Sequence, residues 1–116
     1  MYDANVLLAL LDIMDTEGVR FDKRRDISAE SLDLKRVMGL IINKETNRAM
    51  GMKHWFCIRK INGIFYNLDS LIRSPYPFLS LDELLSFLLE EVVDCGGDII
   101  KVYQKNKRFY SPFQRK

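Results

Sequence analysis

The chain has 116 residues, 47% hydrophobic and 29% charged, and its 18 Lys or Arg against 16 Asp or Glu leave a net charge of +2. That size and balance suit one globular domain with a modest core. They argue against a strongly basic nucleic-acid binder, so no nucleic acid is expected as a partner, and no apolar run approaches the roughly 20 residues of a membrane span.

Asp3 to about Asp15 predicts a helix, with Asp3 as N-cap and Val6, Leu7, Leu10, Leu11 and Met14 as the buried stripe. Val19 to Lys23 predicts a short strand, and Lys23-Arg24-Arg25-Asp26 a charged turn, either solvated or facing an acidic partner. Ser28 to Arg36 predicts a short helix or helical turn capped by Ser28 or Ser31. Val37 to Lys44 is almost continuously apolar, the pattern of a strand covered on both faces in the middle of a sheet.

Lys53 to Ser70 carries the only histidine and reads as a β-hairpin. Asn62-Gly63 is the dipeptide that most readily supplies two residues of positive φ, and aromatic and β-branched runs flank it. A two-residue loop there fixes the register: Ile61 faces Ile64, Lys60 faces Phe65, Ile58 faces Asn67 and Phe56 faces Asp69. Alternation then puts His54 on the face of Phe56 and Asp69, diagonal to the carboxylate, where side chains roughly 7–8 Å apart at Cβ can still meet. A carboxylate accepting the Nδ1 proton would leave Nε2 free as a base for a thiol or hydroxyl. The alternative is a histidine that is simply packed or at the surface. Cys57 falls in the opposite parity class, with Trp55, Arg59, Tyr66 and Leu68, and reads as a core residue.

Pro75 and Pro77 keep 71–79 as loop or extended chain. Ser80-Leu-Asp-Glu83 has the pattern of a capping box, in which the serine oxygen takes the N3 amide and the glutamate reaches back to the N-cap amide. A helix to about Val93 follows, with Leu84, Leu85, Leu88 and Leu89 as its core face and Gly96-Gly97 as its stop. Asp98 to Gln104 predicts a last strand. The tail 105–116 holds five Lys or Arg and three aromatics without an acid; it reads as frayed, soluble chain, with contact to RNA, acidic lipid or an acidic protein as the alternative. One histidine and two cysteines without metal-ligand spacing give no metal site and no structural disulfide. No cofactor is implied, and the free thiols suit a reducing intracellular compartment, cytoplasmic in the simplest case.

His-Trp-Phe-Cys-Ile-Arg from His54, then Phe-Tyr-Asn-Leu-Asp-Ser ending at Ser70, with fifteen positions from His54 to Asp69, resembles the His and Asp/Asn motifs of the Josephin family of cysteine-type deubiquitinating enzymes. Tyr2-Asp3-Ala4-Asn5-Val6, Phe21-Asp22-Lys23-Arg24-Arg25-Asp26 and Val37-Met38-Gly39-Leu40-Ile41-Ile42-Asn43 resemble the short, stand-alone Josephin proteins in the same order. The resemblance implies an α+β fold: an antiparallel sheet of four or more strands with packed helices, similar to the sheet side of a papain-like fold. It implies a partial Josephin domain over 1–104 followed by the tail. It also implies catalytic roles for His54 as base and Asp69 as its orienter, ubiquitin or ubiquitinated proteins as partners, and a ubiquitin contact near Tyr2, Ala4 and Asn5. The family's nucleophilic cysteine lies in an N-terminal segment with an upstream glutamine, and no such segment occurs here. The chain therefore reads as an incomplete cysteine-type ubiquitinyl hydrolase, inactive alone. A catalytically dead ubiquitin-binding or regulatory module on the same scaffold is the alternative, and a small structural domain in which His54 and Asp69 satisfy one another is a third.

Overall fold

Asn62 and Gly63 adopt φ of 51° and 82°, the two positive values a two-residue hairpin loop demands. They join β3 (Met52–Ile61) to β4 (Ile64–Asn67), and the pairs Ile61 with Ile64, Lys60 with Phe65 and Ile58 with Asn67 form as expected. The computed structural model describes residues 14–47 and 49–105. All but the end of the predicted helix 3–15 lies outside them, and so do Tyr2, Ala4, Asn5 and nearly all of the tail. Met14 and Asp15 form a turn, with Asp15 at φ 64°.

The hairpin extends a six-stranded sheet, antiparallel throughout, in the order β1-β6-β2-β3-β4-β5. β1 is Thr16–Arg20, β2 Gly39–Asn47, β5 Tyr76–Pro77 and β6 Asp98–Gln104. The apolar run of β2 lies between β3 and β6, as its pattern predicts. Leu40 and Ile42 face one side with Phe56, Ile58, Phe65 and Ile99, while Ile41 faces the other with Ile100, Val102, Met38 and Trp55. β1 begins three residues earlier than the sequence suggests. It is an edge strand whose bounds are set by pairing with β6 rather than by its own pattern, and Phe21, just beyond it, turns into the core.

Helix α1 (Leu81–Phe87) and a continuing π-helical turn over Leu88–Val93 cover the first face, completing the α+β architecture. Ser80 accepts the Glu83 amide at 3.1 Å as expected of the N-cap. The glutamate departs from the capping box: its carboxylate accepts the Leu79 amide at 2.6 Å and the Tyr76 hydroxyl, not the Ser80 amide. Leu84, Leu88 and Val92 are fully buried, with Leu85 packed at the margin, but Leu89 is 42% exposed. The wider winding explains it. Asp94 N donates to Leu89 O, five residues back, so each turn takes more residues than in an α-helix and Val92 takes the inward place while Leu89 swings out.

The segment 28–36 is a run of turns in which Ser28 and Ser31 each accept the other's amide, at 2.9 and 3.0 Å, so both expected caps act together. It delivers Leu32 and Leu34 to the core, and Lys60 Nζ donates to the carbonyls of Leu34 and Lys35. The charged turn after Phe21 is held within the fold. Lys23 Nζ donates to Gly97 O and pairs with Asp98, and Arg24 bonds Asp22 through Nε and Nη2. Those bonds hold the Asp22 carboxyl down at about 2.

Gly97 has a steric reason for being glycine. A Cβ there would stand 2.4 Å from the Asn43 carbonyl oxygen and 3.0 Å from that of Val92, both backbone atoms that cannot rotate away. Gly97→Ala should therefore destabilise the domain by about 1–3 kcal/mol, read as a fall in urea midpoint. An unchanged midpoint would show that the turn and β2 do not pack as described.

Candidate active site

His54 is the third residue of β3, opposite Lys44 of β2, and Asp69 is the second residue past β4. The last contact of the hairpin is the Leu68 amide donating to Cys57 O at 2.9 Å. Beyond it the chain turns: Asn67 Oδ1 accepts the Asp69 amide at 2.9 Å, and Asp69 O accepts the Ile72 amide at 3.1 Å. The Asp69 carboxylate thus comes to the histidine ring, with His54 Nε2 and Asp69 Oδ1 2.6 Å apart. The two side chains are only 23% and 13% exposed. The expected approach of the two side chains forms, with two changes. The ladder ends at Ile58–Asn67, so the expected Phe56–Asp69 pair does not form and Asp69 reaches the ring from the turn beyond β4. The ring nitrogen that meets Asp69 is Nε2, not Nδ1. Nδ1 has no hydrogen-bond partner among the described residues.

The ring is held from a second side. Phe56, two residues along the same face, stacks on it with centroids 5.6 Å apart and planes 25° from parallel. Phe56 meets the edge of Phe87 on α1, and Phe87 meets Phe78, so helix and sheet are joined through aromatic contacts beneath the imidazole. On the carboxylate side, Asp69 Oδ1 also accepts the Leu71 amide at 3.0 Å. A carboxylate oxygen shared by a backbone amide and a ring nitrogen is fixed in rotation.

Sequence reasoning identified His54 and Asp69 but missed Phe56 and Asn67 as their supports. Both leave a local signal: Phe56 lies at the alternation distance from His54, and an Asn two residues before an Asp is the pattern of a side chain accepting the amide two residues on. A cavity of about 330 Å³ lies beyond Asn67, lined by Ile72, Arg73, Tyr76, Phe78 and Phe87 among others. Asn67 and Phe87 are part of its lining, whereas His54 and Asp69 are not.

Neither thiol joins the site. Cys57 pairs with Ile41 on the Trp55 side of the sheet and is half-buried rather than core, and Cys95 Sγ faces Glu90 O at 3.5 Å in the turn after the π-helical segment. Burial pushes the Cys57 thiol above its usual value, with nearby Arg59 partly opposing the shift. Among the described residues no group of His, Cys, Asp and Glu is arranged to hold a metal ion, and no helix is long and apolar enough to cross a membrane.

The fold thus brings a strand-borne histidine and a carboxylate from the turn after the next strand together, on an antiparallel sheet backed by a helix. The Josephin family model matches residues 1–103, and the chain belongs to that family. It is 36% identical over 111 residues to Josephin-2 of Mus musculus and 35% identical over 111 residues to Josephin-2 of Homo sapiens, covering 90% of this chain and 58% of each relative. It is also 33% identical over 115 residues to a Josephin-like protein of Drosophila melanogaster, covering 81% of this chain and 51% of that protein. The chain spans about half the length of these curated relatives.

A raised pKa leaves less thiolate at neutral pH, and the thiolate is the reactive form. Alkylation of Cys57 by iodoacetamide at pH 7.5 should therefore be slow, and its rate should keep climbing with pH beyond the range in which an ordinary thiol has saturated. Peptide mass spectrometry gives the rate at each thiol. Rapid modification of Cys57 at neutral pH would place that thiol in a different environment.

Proposed function

We propose that this chain provides the base and its orienting carboxylate for a cysteine-type ubiquitinyl hydrolase. The observation that carries the reading is the 2.6 Å contact between His54 Nε2 on β3 and Asp69 Oδ1 in the turn after β4, in a chain of the Josephin family. With Nε2 engaged by Asp69, Nδ1 is the nitrogen available to take a proton. In this reading a cysteine thiol gives its proton to His54, and the thiolate attacks the carbonyl carbon at the C-terminus of ubiquitin. The imidazolium then returns the proton to the departing lysine amine, leaving a thioester. Water loses a proton to the same imidazole and opens the thioester, releasing the ubiquitin carboxylate and restoring the thiol. Asp69 holds the ring and stabilises its cationic form between the two transfers.

The nucleophile in this reading comes from outside the 116 residues, since Cys57 lies on the other side of the sheet and Cys95 is directed at Glu90. Tyr2, Ala4 and Asn5 belong to the same proposal as ubiquitin contacts, and an intracellular setting follows from the thiol chemistry. The absence of a thiol beside His54 favours one other reading, a ubiquitin-binding module that does not turn over.

Fusion to the N-terminal segment of a Josephin relative carrying its cysteine separates the two. The unfused chain should not cleave ubiquitin conjugates, and the fusion should. His54→Ala in the fusion should then remove on the order of 10⁴–10⁶ of the rate. A fusion that folds and binds ubiquitin without cleaving it would favour the binding module. Reaction of the unfused chain at Cys57 or Cys95 with a ubiquitin bearing a thiol-reactive C-terminus would show that the nucleophile has been misassigned.

A further inference from the structure

We infer that Asn67 is a positioning residue for the His54–Asp69 pair, which rests on the catalytic reading above and adds to it the group that aims the carboxylate. Asn67 ends β4 with only 8% of its surface exposed, between Ile58 of β3 on one side and Tyr76 of β5 on the other. It is paired on both sides, within the ladder that fixes the β3–β4 register. Asp69 has no such support. It lies past the last residue pair of the ladder, and its amide is taken up by Asn67 Oδ1 at 2.9 Å instead of by a neighbouring strand.

That one bond bends the chain out of the strand at the residue whose carboxylate must reach the ring. Asp69 Oδ1 then has two donors, His54 Nε2 at 2.6 Å and the Leu71 amide at 3.0 Å. The Leu71 amide alone anchors the carboxylate to a loop that leaves the sheet, where Leu71 is 73% exposed. Asn67 is therefore the link by which the sheet, rather than the loop, sets the direction of Asp69. Removing its acceptor leaves a part-buried amide unpaired and frees the loop to rotate, and misplacement of a catalytic group by about 1 Å costs up to roughly 10²-fold in rate.

The test compares Asn67→Leu, close in size but without an acceptor, with Asn67→Asp, which keeps one. In the full chain with ¹⁵N-labelled histidine, the downfield proton and nitrogen shifts of the His54 ring N–H report its bond to Asp69, and Asp69→Ala supplies the spectrum of the broken bond. Asn67→Leu should move the His54 signals most of the way to those of Asp69→Ala, while Asn67→Asp should stay near wild type. Cooperative urea unfolding shows that each variant is folded, and Asn67→Ala replaces the leucine variant should that one fail to fold. In the fused enzyme, Asn67→Leu should lower kcat roughly 10–100-fold with KM unchanged, and Asn67→Asp should restore it. A folded acceptor-less variant with wild-type His54 signals overturns the inference. So does failure of both acceptor-less variants to fold while Asn67→Asp folds, since Asn67 would then be a structural residue. Unchanged turnover in Asp69→Ala itself would sink the catalytic reading, while the His54 spectra still decide what Asn67 does.

Discussion

Two residues of positive φ hold the geometry on which the candidate site depends. With Asn62 at 51° and Gly63 at 82°, the β3–β4 ladder has one register, and a slip of one residue would send Asp69 to the face opposite His54. The same register seats Phe56, Ile58 and Phe65 against the helix and turns Cys57 to the Trp55 side. A short local signal thus decides which side chains can share chemistry and which thiol cannot.

The sheet supplies rigidity, and the segment wound over it supplies the floor. Leu84, Leu88 and Val92 are each fully buried in the core cluster, and the π-helical continuation lies against β2 and β6. Phe87, at the junction of the two windings, reaches Phe56 beneath the imidazole. The entry to that helix is tied to the loop after Asp69 through Glu83, which takes both the Leu79 amide and the Tyr76 hydroxyl. This pairing lowers the Glu83 carboxyl and raises the Tyr76 hydroxyl relative to their usual values. Loop, helix and histidine are in this way parts of one packed unit.

The charges sort into local partnerships that leave the His54–Asp69 pair distinct. Lys23 bridges to Gly97 and Asp98, Arg24 to Asp22, and Lys44 to Glu91. These are partly or largely exposed pairs, each contributing little to stability. His54 and Asp69 differ in being mostly shielded from water.

The sequence by itself determined the elements whose signals are local. Asn62-Gly63 specified the turn, the apolar run from Val37 the central strand, Ser80 the helix start, and alternation the shared face of His54 and Asp69. Where the deciding partner is distant in the chain, local pattern was silent. The bounds of β1 follow from pairing with β6, the burial of Leu32 and Leu34 from turns folded under the sheet, and the exposure of Leu89 from a change of winding over the core. Tertiary structure alone decided that Glu83 bonds Leu79 and Tyr76 rather than Ser80, that Nε2 is the nitrogen meeting Asp69, and that Phe56 and Asn67 hold the two ends of the pair. A hydrogen bond has direction, and direction depends on where rigid neighbours place each backbone, which no single stretch of sequence encodes.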